Sequence, residues 1–164
     1  MKLAITGSPG VGKTSVSKEL GKKLKSRVLN EKEFALEQGI GQWDSKENEL
    51  VVPLGKLKTA LNTMLKTEES VIIEGHMLCE IALDVDFIVL IRLDPELLEE
   101  RLGSKQYDTI KIQDNVFCEG IDYCKKHMSR KYPKNKIIEV QSQKSIKETM
   151  YVILKEFKER GILK

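Results

Sequence analysis

The 164-residue chain has few aromatic residues, few cysteines and no long apolar run. Aromatic side chains make up 5% of it, which leaves little surface for stacking on nucleic-acid bases. The three cysteines, Cys79, Cys118 and Cys124, form no C-x-x-C pair, and such a sparse, odd set is typical of reduced thiols rather than of a disulfide scaffold. The longest apolar run, Phe87 to Ile91, is far shorter than the ~20 residues of a membrane helix, and residues 1–6 are too few for a signal peptide. We therefore expect a cytoplasmic protein with no membrane partner.

The net charge is also small and excludes few functions. There are 28 basic and 25 acidic residues, which gives +3 and does not indicate a nucleic-acid partner. The basic stretch Lys125–Lys136 (KKHMSRKYPKNK) is a candidate for RNA contact, but an exposed charged helix face that includes His127 is the simpler interpretation. The length and the 40% hydrophobic content favour one globular domain with a sizeable core.

Strand-like and helix-like stretches alternate along the chain, which predicts an α/β fold with a mostly parallel sheet. The predicted strands are Lys2–Thr6, Arg27–Asn30, Ser70–Glu74, Val85–Arg92 and Lys136–Val140. The predicted helices are Lys13–Lys25, Pro53–Leu65, Pro95 to about Leu102 with Asp94 as N-cap, Thr109–Lys131, and Ile146–Phe157. Two segments, 31–52 and 103–111, have no clear pattern.

A glycine-rich motif follows the first predicted strand. Gly7, Gly12, Lys13 and Thr14 have the spacing G-x-x-x-x-G-K-T, which is the pattern of a P-loop. In such a loop the glycines let backbone N–H groups turn toward a phosphate, and the following helix directs its positive end to the same place. Lys13 is predicted to reach the β- and γ-phosphates, and the Thr14 hydroxyl to bind Mg²⁺. The motif therefore predicts an ATP site.

A P-loop also needs an acid that holds the water shell of the metal, from the end of a neighbouring strand. Glu74 and Asp86 are the candidates, and Glu74 is the better placed because Asp86 precedes its apolar run. Gly75 and His76 follow Glu74 at a strand end, where ligands bind in parallel sheets. We predict that Glu74 organises the metal through water and that His76 takes part in catalysis, although a lone histidine is often structural.

Cations must approach the γ-phosphate during phosphoryl transfer. Besides Lys13, the cations predicted near the active end of the sheet are Arg92, Arg101, Lys105 and Lys111. Both segments without a pattern flank this end, and irregular segments in such positions often form mobile lids.

The motifs together resemble those of one family. GSPGVGKTSVSKEL, VIIEGH, VLIRLDPELLEERL and YDTIKIQDNVFCE are similar to the small, atypical adenylate kinases of archaea and eukaryotes, the coilin-interacting nuclear ATPase protein family. The P-loop alone would fit many families. The more diagnostic pattern is ERL…Y…DN…CE, formed here by Glu100, Arg101, Leu102, Tyr107, Asp114, Asn115, Cys118 and Glu119.

The resemblance implies a single P-loop kinase domain over residues 1–164, of the nucleoside-monophosphate-kinase type, with a five-stranded parallel sheet, helices on both faces and two mobile flaps. It implies ATP:AMP phosphotransfer with Mg²⁺, a slow ATPase activity, and a role in small ribosomal subunit maturation through a small-subunit ribosomal protein. The acceptor-nucleotide flap corresponds to about 30–53 and the lid to about 104–114. The implied catalytic residues are Lys13, Glu74, His76 and Lys105, and the implied ATP-binding residues are Gly10, Gly12, Lys13, Thr14 and Ser15.

The sequence departs from the family pattern at two places. The lid has Lys105 where an arginine is common, and lysine lacks the planar, bidentate guanidinium. In the acceptor region of the family an arginine often follows Leu-Ala, whereas this chain has Phe34-Ala35-Leu36. No arginine occurs between Arg27 and Arg92. AMP recognition would then be weak or depend on Lys32 or Lys56. Trp43 could stack on a base, but we interpret it first as a hydrophobic anchor of the flap.

Three functions remain open on this basis. The first is an adenylate kinase. The second is an assembly ATPase that binds a ribosomal protein and does not use AMP as its physiological acceptor. The third is a P-loop kinase for another small molecule, which the lid-region pattern disfavours.

Overall fold

Five strands form one parallel sheet in the order β2-β5-β1-β6-β7. The computed structural model describes residues 1–163. A separate antiparallel hairpin is formed by β3 and β4. The strands are β1 Lys2–Thr6, β2 Arg27–Asn30, β3 Gln42–Asp44, β4 Glu49–Val51, β5 Val71–Glu74, β6 Phe87–Arg92 and β7 Ile137–Gln141.

Seven α-helices accompany the strands within residues 1–163. They are α1 Lys13–Leu24, α2 Glu31–Glu37, α3 Leu54–Leu65, α4 Pro95–Ser104, α5 Thr109–Gly120, α6 Tyr123–Lys131 and α7 Ile146–Glu159. Short 3₁₀ turns cover Met77–Glu80 and Lys134–Lys136.

Alternation along the central strands builds an apolar core on each face of the sheet. Ala4 of β1 packs with buried residues of α2, α3 and α6, whereas Leu3 and Ile5 pack with buried residues of α1, α4 and α7. Successive side chains of a strand point to opposite faces, so a strand covered on both sides must be apolar throughout. The predicted α/β fold with helices on both faces is confirmed.

The five predicted strands agree with the observed sheet to within two residues at their ends. The single long helix predicted for Thr109–Lys131 is wrong, because α5 ends at Gly120 and α6 begins at Tyr123. Asp122 between them has the left-handed φ of 59°, which ends a right-handed helix. The turn directs the Asp122 carboxylate to the Arg92 guanidinium.

The sequence showed no clear pattern in the segment 31–52. The structure, in contrast, forms α2 and the hairpin of β3 and β4 in this segment. Asn30 caps α2, since its Oδ1 accepts hydrogen bonds from the backbone N–H groups of Lys32 and Glu33. The second segment without a pattern is shorter than expected, because α4 continues to Ser104 and α5 begins at Thr109. The mobility of both segments stays a prediction.

Among residues 1–163, no helix is both long enough and apolar enough to cross a membrane. Cys79, Cys118 and Cys124 are all free thiols.

Candidate active site

The P-loop joins the central strand β1 to α1 and holds Lys13 in a buried position. The Lys13 ammonium donates hydrogen bonds to the Gly7 and Ser8 carbonyl oxygens, both at 2.9 Å. Burial lowers the pKa of Lys13 below its ordinary value, and the nearby carboxylates of Glu31 and Glu74 oppose this effect. The lysine is therefore kept beside the loop that is predicted to bind phosphate.

Residues of α4 and α5 contact the P-loop and hold its backbone in place. Gly10 has the left-handed φ of 94°, which favours glycine, and a Cβ there would lie 2.8 Å from the Leu102 side chain of α4. Ser8 Oγ donates a hydrogen bond of 2.6 Å to Glu119, a residue of α5 that is 2% exposed. The other Glu119 oxygen accepts from Arg92 Nε at 2.6 Å. Glu119 thus connects the P-loop to the end of β6.

Thr14 and Glu74 lie together, as the sequence predicted. Thr14 Oγ1 donates to Glu74 Oε1 at 3.0 Å, and Asn30 Nδ2 donates to the same oxygen at 2.6 Å. A hydroxyl and a carboxylate suit Mg²⁺, which uses one or two protein ligands together with substrate phosphates. No cluster of three or more His, Cys, Asp or Glu side chains that could hold a metal alone occurs in residues 1–163. The residues present therefore fit a nucleotide-bound Mg²⁺.

Asp86 is placed at the opposite edge of the sheet. Its carboxylate accepts a hydrogen bond of 2.7 Å from the backbone N–H of Lys2, at the start of β1. In a parallel sheet this is the amino edge, away from the P-loop. This arrangement agrees with the prediction that Glu74, and not Asp86, is the acid next to the P-loop.

A second buried acid, Glu31, lies next to Gly75 and His76. Glu31 is 1% exposed, and its Oε1 accepts a hydrogen bond of 3.0 Å from Met77 N and lies 3.3 Å from His76 Nδ1. Burial raises the pKa of Glu31 to about 7. Burial and the charge of Lys13 lower the pKa of His76 to about 4. The carboxyl is therefore partly protonated near neutral pH, and the imidazole is neutral.

One cavity of about 530 Å³ opens at the carboxyl ends of β2, β5 and β1. Lys13, Lys32 and His76 line it from the sheet side. Lys111 lines it from α5, with its Nζ bonded to the Glu47 carbonyl oxygen at 2.6 Å. Lys56 lies instead in a separate surface cavity at the hairpin.

Two aromatic side chains complete this cavity. Trp43 of the hairpin is 62% exposed and Tyr107 is 46% exposed, and both line the cavity. The interpretation of Trp43 as a hydrophobic anchor is wrong, because a side chain so exposed is not packed into a core. Its exposed face is available for stacking on a base.

A second cavity of about 480 Å³ opens on the other side of the P-loop, beyond β6 and β7. Arg101 lines it and donates hydrogen bonds to Ser142 Oγ and to the Gln143 carbonyl oxygen. Ser142 Oγ in turn donates to the P-loop carbonyl of Val11 at 3.2 Å. The P-loop therefore lies between two separate cavities.

The four side chains predicted to bring positive charge to the γ-phosphate do not lie together in one cavity. Arg92 binds Glu119, Asp122 and Glu139, and Arg101 belongs to the second cavity. Lys105 is an exposed residue at the end of α4 and lines neither cavity, whereas Lys111 lines the first. The only member of the group placed near Lys13 is Lys111. Of the other predicted ATP-binding residues, Gly10 and Gly12 lie in the loop, and Ser15 is exposed in the first turn of α1.

Comparison with known proteins agrees with this geometry. Residues 3–122 match the family described as "AAA domain". The chain is 34% identical over 146 residues to a protein of Methanococcus maripaludis named "Putative adenylate kinase", with 85% of this chain and 78% of that protein covered. The chain belongs to this adenylate-kinase-like P-loop family. A protein of the same name from Methanocaldococcus jannaschii is 32% identical over 125 residues, with coverage of 76% and 70%.

The family includes longer relatives that this chain covers only in part. It is 38% identical over 122 residues to the Thermococcus kodakarensis protein of that name, which is 74% of this chain and 66% of the relative. Among solved structures, shikimate kinase from Aquifex aeolicus aligns with a TM-score of 0.63 at 18% identity, over 99% of both chains. Deoxyadenosine kinase from M. mycoides aligns with a TM-score of 0.62 at 16% identity, over 97% of this chain and 99% of that one. These two structures support the fold alone.

Glu31 and Glu119 are parts of this site that were not predicted from the sequence. Glu31 directly follows β2 and stands in the segment 31–52, for which the sequence showed no clear pattern. One signal was available, because residues that directly follow a strand of a parallel sheet lie at the ligand-binding edge. Glu119 was noted only as part of a pattern, and its link to Ser8 depends on how α5 packs.

Proposed function

We propose that this protein is an adenylate kinase that transfers the γ-phosphoryl group of Mg²⁺-ATP to AMP and forms two ADP. The observation that supports this most directly is the pair of cavities on either side of the P-loop. A nucleotide kinase must hold a donor and an acceptor with the transferred group between them. A P-loop flanked by one site on each side meets this requirement.

The two cavities suit different substrates. The cavity of Arg101, Ser142 and Gln143 would take the base of ATP, with the triphosphate running along the P-loop. The cavity of Trp43 and Tyr107 would take AMP, with the base against an aromatic face. The AMP phosphate would then approach the cations that line this cavity, which are Lys13, Lys32 and Lys111.

The chain's own residues act mainly by positioning. Lys13 would exchange its bonds to the Gly7 and Ser8 carbonyls for the β- and γ-phosphates. Thr14 would bind Mg²⁺ directly and Glu74 would hold its water shell, as Asn30 fixes the Glu74 carboxylate. Mg²⁺, when bound, neutralises charge that develops on the phosphates. Closure of the hairpin and of the loop before α5 would exclude water from the transfer.

A second candidate is an assembly ATPase that acts in small ribosomal subunit maturation and binds a small-subunit ribosomal protein. The observation that favours it concerns the cavity of Trp43 and Tyr107, called the acceptor cavity below. Its lining residues within 1–163 include lysines but no arginine. Lysine holds a phosphate as a point charge and lacks the bidentate fork of arginine. AMP affinity would then be low, and water would compete as acceptor.

Chromatographic separation of nucleotides after incubation with Mg²⁺-ATP, with and without AMP, tests the proposal. We expect AMP to be consumed and about two ADP to form per ATP used. Lys13→Ala should lower the rate by at least about 100-fold. Lys18→Ala, at an exposed lysine of the same helix, is the matched control and should leave it unchanged. Formation of ADP and phosphate at a rate indifferent to AMP would favour the assembly ATPase.

A further inference from the structure

The Glu31 carboxyl is an unusual feature of the site because it is buried and only one of its two oxygens accepts a hydrogen bond. Its Oε1 accepts a hydrogen bond from Met77 N, but its Oε2 has no hydrogen-bond partner among residues 1–163. A buried polar atom without a partner is rare and calls for a reason. Within residues 1–163, no hydrogen bond joins this carboxyl to the P-loop or to the Thr14–Glu74 pair.

Gly75 shows how closely the carboxyl is held. A Cβ at Gly75 would lie 1.9 Å from Glu31 Cδ, so the carboxyl rests directly on the backbone of this residue. The Gly75 N–H donates to the Ile5 carbonyl oxygen at 3.0 Å, which continues the pairing of β5 with the central strand. The carboxyl is thus fixed between α2 and the turn that carries His76.

The position of Oε1 determines how the His76 imidazole is held. Oε1 already accepts a hydrogen bond from Met77 N, so any proton on this carboxyl resides on Oε2. Oε1 is therefore an acceptor in both protonation states. It lies 3.3 Å from His76 Nδ1, close enough to accept a hydrogen bond from this nitrogen once an N–H points toward it. A hydrogen bond from Nδ1 to this oxygen would place the ring proton on Nδ1 and leave a free lone pair on Nε2.

The rest of the His76 ring belongs to the cavity. Its side chain is 36% exposed, and it lines the acceptor cavity together with Lys13. An Nε2 lone pair accepts a hydrogen bond, so it favours a ligand group that carries a proton. A water molecule has such a proton, whereas the attacking oxygen of an AMP phosphate dianion has none.

We propose that Glu31 is a positioning residue that fixes the His76 imidazole with Nδ1–H toward itself and Nε2 toward the cavity, where Nε2 orients water for hydrolysis of ATP. This inference rests on the proposed ATP site. The water oxygen forms a bond to the γ-phosphorus, and the bond from that phosphorus to the β-bridging oxygen breaks. Nε2 accepts a hydrogen bond from this water, the water proton is released to solvent, and the products are ADP and phosphate.

The tautomer of His76 tests the positioning without any nucleotide. The chain has two histidines, so a long-range ¹H–¹⁵N spectrum of the labelled protein is assigned with a His127→Gln variant. We expect Nδ1–H for His76 in the wild type and in Glu31→Gln, whose amide oxygen replaces Oε1 as acceptor. In Glu31→Leu, which is of similar size but has no acceptor, the ring should revert toward the Nε2–H form that free histidine favours. An unchanged tautomer in Glu31→Leu would overturn the proposal.

The ratio of ATP hydrolysis to AMP phosphorylation tests the consequence. Glu31→Leu should lower this ratio at least about tenfold, since misplacing a reacting group by about 1 Å can reduce a rate by about 10²-fold. Glu31→Gln should restore most of it, and Glu33→Leu, at an exposed position in the same helical turn, is the control. Equal loss of both activities would overturn the role in hydrolysis. Absence of all turnover in the wild type would instead refute the proposed function, and the tautomer would still decide the positioning.

Discussion

Replacing Glu31 with glutamine should stabilise the protein above neutral pH. The folded chain holds the Glu31 proton up to about pH 7, whereas the ordinary pKa of this side chain is 4.5. Between these values the native state binds more protons than the unfolded state, so the wild type loses stability as the pH rises. Glutamine has no proton to lose and is nearly the same size.

The magnitude follows from the same two pKa values. At about 1.4 kcal/mol for each pH unit between 4.5 and about 7, the full effect is about 3 kcal/mol. The two proteins should have equal free energies of unfolding at pH 4.5 and below, and Glu31→Gln should be more stable by up to about 3 kcal/mol at pH 8. The lowered pKa of His76 contributes to both proteins and cancels in the difference if that shift is unaffected by the substitution.

Urea denaturation followed by circular dichroism from pH 4.5 to 8, without nucleotide, measures the difference. Glu33→Gln, on the exposed side of the same helix, is the matched control and should show no such divergence. A Glu31→Gln protein that is less stable than the wild type at pH 8 would refute the reasoning. Such a result would mean that the Met77 N–H group and the charge of Lys13 stabilise the ionised carboxylate enough to offset its burial.

Three further substitutions test other parts of the site. Glu74→Gln should slow turnover more than it weakens ATP binding, as measured by single-turnover kinetics and calorimetry, and equal losses would place Glu74 in binding alone. Lys111→Ala should raise the KM for AMP at least about tenfold, since each lost charged contact contributes about 1.5–3 kcal/mol, whereas Lys105→Ala should not change it. Glu119→Ala should lower the free energy of unfolding in urea by about 1.5–3 kcal/mol because it removes hydrogen bonds to Arg92 and Ser8 while Arg92 keeps its other acids, and a loss under 1 kcal/mol would contradict this.

The parts of the fold that depend on local pattern could be predicted from the sequence. Val71–Glu74 and Phe87–Arg92 are apolar runs that only a sheet covered on both faces would bury. Glu74 was found because it stands at the end of such a run. The P-loop was found because its spacing is set by the backbone and not by distant contacts.

The parts that depend on packing between distant segments could not be predicted. The break between α5 and α6 is accompanied by an ion pair between Asp122 and Arg92, which are 30 residues apart, and helical periodicity does not reveal such a contact. Trp43 looked like an anchor because large aromatic side chains are usually buried, and only the hairpin shows that it is exposed. Glu31 was not singled out, because its burial depends on a contact with Met77, which is 46 residues later in the chain.

The contact between Glu31 and Gly75 also constrains how the sequence can change over time. Any side chain at position 75 would occupy the space of the Glu31 carboxyl, since even a Cβ would come within 1.9 Å of it. A lineage could therefore gain a larger residue at 75 only after position 31 had become shorter or had turned its side chain away. Positions 31 and 75 should accordingly covary among related sequences, although 44 residues separate them along the chain.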